Sequence, residues 1–168
     1  TQGNFRQIIF RSFTRNNGTV IDSNVVEGDT SLFGIAIRKN SIEQSGNFLY
    51  SVHDYFFNNG ISKTRLFKIS KSLDTLSTTV LQPFLAYSFN SFDILIEDTA
   101  ITVLGHYAIQ ADQKLNLFIA RYDTDLNLQW YATIADFRPN VAGFFNGYHP
   151  QRIKRHKNNY YITGYASY

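Results

Sequence analysis

The sequence predicts an all-β chain built as a radial repeat of four-stranded antiparallel units. Three observations carry that expectation. Aromatic residues make up 16% of the 168 residues, with 15 Phe and 11 Tyr, a bias that favours strands over helices. No window holds a sustained helical period; short apolar runs alternate instead with clusters of Asn, Asp, Ser and Gly, the punctuation of strands and turns. One strand–turn–strand pattern also occurs three times, and such self-similarity marks repeat architectures.

The clearest copy lies between Leu117 and Ile134. From Leu117 to Tyr122 nearly every residue is apolar or has a long stem, as suits a strand covered on both faces. Asp123 to Asn127 then reverses the chain, since Asp and Asn bond locally to the backbone and tolerate the left-handed region. Leu128 to Ile134 leaves the turn as a second strand, with the only Trp of the chain, Trp130, near its start. A weaker copy, 51 residues earlier, comprises Leu66 to Lys71, a turn at Ser72 to Thr75, and Leu76 to Val80. The third comprises Ile8 to Phe13, Thr14 to Gly18, and Thr19 to Ile21. In this alignment Asn127 falls on Gly18, the residue best suited to positive φ, and Asp125 falls on Asp74 and Asn16. Trp130 falls on Thr79 and Ile21.

Taken in order, the first hairpin spans roughly Gln7 to Val26, and Glu27 to Thr30 is a turn or loop. Phe33 to Arg38 is a strand, Lys39 to Gly46 a polar loop, and Asn47 to His53 a strand. Asp54 to Gly60, ending Asn58-Asn59-Gly60, is a connection into the second hairpin. Phe92 to Glu97 and Ala100 to His106 are strands joined at Asp98-Thr99, and Ala111 to Lys114 leads into the third hairpin. Asp136 to Pro150 is a long loop. Gln151 to Arg155 and Tyr160 to Tyr165 are the last strands, with Gly164 lining up with Gly105 and, less closely, with Val52. All three prolines (Pro83, Pro139, Pro150) fall in connections, where an all-β chain tolerates them.

The unit is thus four short strands repeating every 51 to 59 residues, and the usual solution for that period is a β-propeller blade. One such sheet cannot cover both of its faces, so blades stack around an axis. Expected blade limits are 1–30, 31–88, 89–146 and 147–168, a half blade, two full ones and a half. Propellers typically have about four to eight blades. Closure therefore needs further chain or additional copies, the alternative being an open or sandwich-like stack.

Residues Tyr160-Tyr161-Ile162-Thr163-Gly164-Tyr165 and the stretch from Leu117 to Trp130 resemble the blades of secreted or surface bacterial β-propellers of the Bacteroidetes kind. The middle repeat is moderately similar and the first only weakly. Asn127 and Asn158-Asn159 stand where that family usually has Gly in its turns. The resemblance implies an extracytoplasmic, secreted or cell-surface protein, with the strand before each turn innermost. Arg38, Glu97 and Arg155 would then lie near a central channel. Its motifs mark a blade rather than an activity.

Composition narrows the function classes. With 16 Lys+Arg against 13 Asp+Glu, the net charge of +3 is too mild for a dedicated nucleic-acid binder. The chain has no Cys, which removes disulfides, thiolate metal sites and a cysteine nucleophile. No run is long and apolar enough to span a bilayer, and no signal-peptide pattern occurs. The absence of Met leads us to expect a processed chain or a piece of a longer one.

Candidate sites follow from position. His53 and His106 fall at equivalent repeat positions, with Tyr165 in the third, and together would make a ring of polar aromatics able to grip a ligand. The plainer account has each residue capping a strand end. The long loop carries Phe137, Phe144, Phe145, Tyr148 and His149, a density that suits stacking on sugars or anchoring a protein partner as well as packing on a neighbouring blade. Arg152, Lys154, Arg155, His156 and Lys157 form the one basic cluster. Alternation sends Arg152 and Lys154 to one face, with Ile153 and Arg155 on the other, so a solvated or channel-lining strand competes with an acidic partner. Asp123, Asp125 and Asn127 have the spacing that begins a calcium loop, but Leu128 replaces the Gly and Ile134 the bidentate Glu that loop requires. They read as a turn, and no metal or cofactor is expected. A glycosidase needs two carboxylates about 5 to 10 Å apart, and Glu97 with Asp93 or Asp98 is the only dense acidic patch on a predicted inner strand. The sequence therefore favours a non-enzymatic module that binds a protein partner or assembles a surface complex, with a carbohydrate-binding or glycan-cleaving propeller as the alternative.

Overall fold

The computed structural model describes residues 6–13, 18–29, 32–36, 42–57, 61–82, 86–109, 115–134 and 147–167. All elements among them are strands, in antiparallel sheets. Sheet A pairs β1 (Arg6–Phe13) with β2 (Val20–Asp29). Sheet B runs β3 (Leu32–Ala36), β5 (Phe48–Phe57), β6 (Ser62–Ser70), β7 (Thr75–Leu81); β4 (Ile42–Ser45) pairs with the start of β5 while β3 pairs with its end. Sheet C is an unbroken meander of β8 (Ser88–Glu97), β9 (Ala100–Ala108), β10 (Asn116–Asp123) and β11 (Leu128–Ile134). Sheet D pairs β12 (Gly147–His156) with β13 (Asn159–Ser167).

Sheets B, C and D stack face to face in chain order. Tyr50, Val52, Leu66 and Leu81 of sheet B interlock with Phe89, Ile101, Val103 and Phe118 of sheet C in the largest core. On the far face of sheet C, Leu104, Leu117 and Ile119 pack on Ile153 and Ile162 of sheet D. Strand β9, between these cores, is buried at every residue, whereas all of β11 is exposed. That contrast explains the sequence: β9 reads as a continuous apolar run because both its faces are covered.

Register shows how closely the units repeat. The hairpins β6–β7 and β10–β11 superimpose at an offset of 53 residues, with Ile69 opposite Thr75 as Tyr122 is opposite Leu128, and with one residue bulged on the second strand of each. Sheet A has the same bulge: Ser12 faces Asp22, and Phe13 faces Val20. The hairpins β8–β9 and β12–β13 superimpose at 59, with Ser91 opposite Gly105 and Pro150 opposite Gly164, followed in each by a bulge on the first strand. Sheet A is thus an outer hairpin and sheet D an inner one.

Several expectations are corrected. The true offset between the second and third hairpins is 53, so Trp130 corresponds to Ser77 rather than Thr79. Among the described residues the positive-φ positions are Leu73 and Leu126, with Gly18 in sheet A, Gly46 between β4 and β5, and Lys157 in the last turn; Asn127 and Asn158 are not among them. A leucine in the left-handed region costs on the order of 1–2 kcal/mol, but Leu73 and Leu126 are 3% and 5% exposed, and burying such a side chain returns about 1.5–3 kcal/mol. Part of the polar loop from Lys39 to Gly46 is β4, and Asp54 to Phe57 belongs to β5 because Ala36 and the start of β6 pair there. Strand β2 reaches Asp29, and β12 begins at Gly147, inside the expected long loop. Pro150 accordingly lies in a strand, at the bulge where a missing N–H costs no ladder bond.

Candidate functional site

Two polar clusters join the sheets. The first lies between sheets B and C. Asp54, fully buried, accepts hydrogen bonds at Oδ1 from the Thr64 hydroxyl (2.7 Å), the Ser91 N–H (2.8 Å) and the Ser91 hydroxyl (2.9 Å). Ser91 sits where the β8 bulge frees its amide from the ladder. The Ser62 and Thr64 hydroxyls donate to the carbonyl of Phe89 beside it. The equivalent position in sheet C is His106, because Asp54 pairs with Thr64 as His106 pairs with Leu117. The amide it would face belongs to Pro150, which has no N–H to offer, so no carboxylate is required there.

The second cluster lies between sheets C and D. Glu97, at the end of β8, has a side chain only 7% exposed. Its Oε2 accepts from Tyr160 (2.8 Å), Thr102 (3.1 Å) and Arg121, and its Oε1 accepts from Arg155. Arg121 also donates to the Tyr160 hydroxyl at 2.6 Å, and Arg155 to the carbonyl of Lys157 at 2.8 Å. Burial pushes the Glu97 carboxyl up, but hydrogen bonds from Tyr160, Arg155 and Thr102 and the charge of Arg121 outweigh it and hold the group below the usual carboxylate range. A carboxylate so occupied stays ionised and has no free oxygen for substrate. Asp93 differs: burial raises it, against the lowering hydrogen bond from the Ile153 N–H at 2.8 Å. Both acids are engaged by sheet D, Asp93 by β12 and Glu97 by β12 and β13.

The residues picked from the sequence separate. His106 and Tyr165 are brought together through His149, whose ring stacks on Tyr165 at 4.7 Å and meets the His106 ring edge-on at 6.2 Å. Phe92 closes the other side of His106 at 4.8 Å. His53 is not part of this group and is not the equivalent of His106; by strand register it corresponds to Gly105. It lies edge-on to Phe67 at 5.5 Å with Nε2 2.6 Å from the Ser51 hydroxyl, and burial lowers its pKa to about 4. Arg155 turns toward sheet C to reach Glu97, while remaining exposed like Arg152 and Lys154. Phe137, Phe144, Phe145 and Arg38 lie outside the described residues, as does the Tyr148 side chain.

Beside the His149–Tyr165 stack is a cleft of about 340 Å³, lined by Leu117, Ile134, Pro150, Ile162 and Gly164. It opens along β13, whose outer edge carries no strand among the described residues. The D-x-D-x-N stretch is a turn: Asp123 accepts from the N–H groups of Asp125 and Asn127, each at 2.9 Å, and Asp125 pairs with Lys68 of sheet B at 2.9 Å. Among the described residues no group of three acids or histidines gathers as a metal site, and no helix is long and apolar enough to cross a membrane.

Sequence reasoning missed Glu97, Arg121 and Tyr160 as one unit. The available signal was Arg155 sharing a strand face with the apolar Ile153, which asks for a buried acid opposite.

No protein-family model, no curated protein and no solved structure matches the chain.

Proposed function

We propose that this chain is an assembly module of the β-propeller type, acting outside the cytoplasm as its resemblance to surface and secreted propellers suggests, and that it joins to protein rather than performing catalysis. The observation that carries this reading is an uncovered apolar row. Leu81 on β7 and Ile134 on β11 occupy the same position of the repeat, yet Leu81 is 0% exposed under sheet C and Ile134 is 51% exposed. Trp130 continues that row at 38%, on the face of sheet C that its partner Arg121 shares with Leu117. Apolar surface contiguous with a cleft and an open sheet edge favours a protein partner. The polar side supports it too, since Glu97, the acid best placed for chemistry, is consumed by four donors.

The test is sedimentation of the full chain beside Ile134→Lys and Trp130→Lys variants. Wild type should run above the 19.3 kDa of a single chain, and both variants should fall to that mass with an unchanged β-type circular dichroism spectrum. A wild-type chain that remains at 19.3 kDa up to about 100 μM, tighter than a weak millimolar contact, would refute assembly through this surface.

A further inference from the structure

We propose that the partner is a second copy of this chain, whose β1–β2 hairpin pairs onto β13 and completes sheet D; this rests on the assembly reading above and names its partner. Among the described residues sheet D has only the inner hairpin of the repeat and sheet A only the outer one. The match is one of register. Sheet A shares with β6–β7 and β10–β11 the bulge after the turn and a positive-φ residue two places before the second strand begins, Gly18 standing where Leu73 and Leu126 stand. Sheet D shares with β8–β9 the bulge, the glycine opposite it and the two-residue turn.

Two uncovered faces are what such an exchange would fill. Ile134 and Trp130 on β11 lack the outer strands of sheet D. At the other end of the stack Ile42 on β4 is 45% exposed, whereas its counterpart in sheet C, Ile94, is 3% exposed beneath sheet B; it lacks the inner strands of sheet A. One hairpin exchange in each direction covers both. The cleft along β13 is continuous with the packed sheet C–sheet D interface, sharing Leu117 and Ile162 with that core.

The pairing of β9 with β10 fixes the register. Gly105 faces Phe118 and Leu104 faces Ile119, so Gly164 should face Ile9 of the other copy, Thr163 should face Phe10, and Tyr161 should face Ser12. The chain contains no Cys, so introduced thiols report cleanly. Under mild oxidation the full-length Phe10→Cys/Thr163→Cys and Ser12→Cys/Tyr161→Cys double variants should each become covalent dimers, and the slipped pair Ser12→Cys/Thr163→Cys should not. The second matched pair guards against a folding defect in the first. Cross-linking within one chain, or equal yield from the slipped pair, would overturn the proposal. A chain that sediments as a dimer yet gives no matched cross-link would overturn the strand exchange alone, whereas a chain that stays monomeric would remove the assembly reading with it.

Discussion

The carboxylate of Asp54 accepts the backbone N–H of Ser91 at 2.8 Å, across the boundary between two sheets. The bulge in β8 turns this amide out of its ladder, and the acid in the preceding sheet receives it. Removing a buried acceptor leaves donors stranded, which costs more than the net worth of the bonds themselves. Asp54→Ala should lower stability by about 2–4 kcal/mol in urea unfolding, with Asp54→Asn losing less because its amide oxygen can still accept. A loss below about 0.5 kcal/mol, the scale of a neutral surface change, would mean that the sheets are held by apolar packing alone.

Glu97 gives the acid limb of stability. Its folded pKa is depressed, so its contribution is present above the unfolded value of about 4.3 and is lost as pH falls through the folded pKa. Asp93 works in the opposite sense, since its raised pKa makes the folded state bind the proton more tightly. Glu97→Gln should therefore destabilise the chain at pH 7 and flatten the fall in stability below pH about 4, while Asp93→Asn should steepen it. Urea midpoints for the three proteins at neutral and acid pH decide the point. Equal slopes for wild type and Glu97→Gln would place the acid sensitivity elsewhere.

The strands were legible where the chemistry is local. The run from Leu117 to Tyr122, the Asp-Asn turn and the strand from Leu128 mark a hairpin without any knowledge of neighbours. Part of what was misread was legible too: Ser72-Leu73-Asp74 and Asp125-Leu126-Asn127 align leucine on leucine at the correct 53-residue offset, but setting Asp125 on Asp74 drew the alignment two places off, and setting Asn127 rather than Leu126 on Gly18 followed from expecting asparagine in the left-handed region. Ile42 to Ser45 is polar enough to resemble a loop because its face is uncovered. The Glu97 cluster was hidden for another reason, since Glu97, Arg121 and Tyr160 meet only once two sheets are stacked in one particular register.

His53 supplies a second pH window, separate from that of Glu97. Its folded pKa of about 4 lies below the unfolded value of about 6.5, because burial disfavours the charged ring. The unfolded chain takes up the proton first, so stability should fall as pH drops from about 6.5 towards 4, by up to about 3 kcal/mol. His53→Phe should abolish this decline while leaving the fall below pH 4 in place. A decline that persists unchanged in His53→Phe would assign the window to another group.

Gly105 tests the repeat itself. A Cβ there would overlap the carbonyl oxygen of Asn90 and lie 2.5 Å from the Phe118 ring, because the bulge in β8 draws the backbone in. Neither the carbonyl nor a fully buried ring at the centre of the core can withdraw. Gly105→Ala should cost at least about 2 kcal/mol. Gly164, its counterpart, meets His149 and the Pro150 Cα in the same way, and Gly164→Ala should open sheet D. Gly18→Ala is the control. It has open space around the Cβ but a φ of 69°, so it should lose only the left-handed strain of about 1 kcal/mol. If Gly105→Ala unfolds at the same urea concentration as Gly18→Ala, crowding at the bulge does not govern this position, and the residue-by-residue correspondence between the inner hairpins of sheets C and D loses its physical basis.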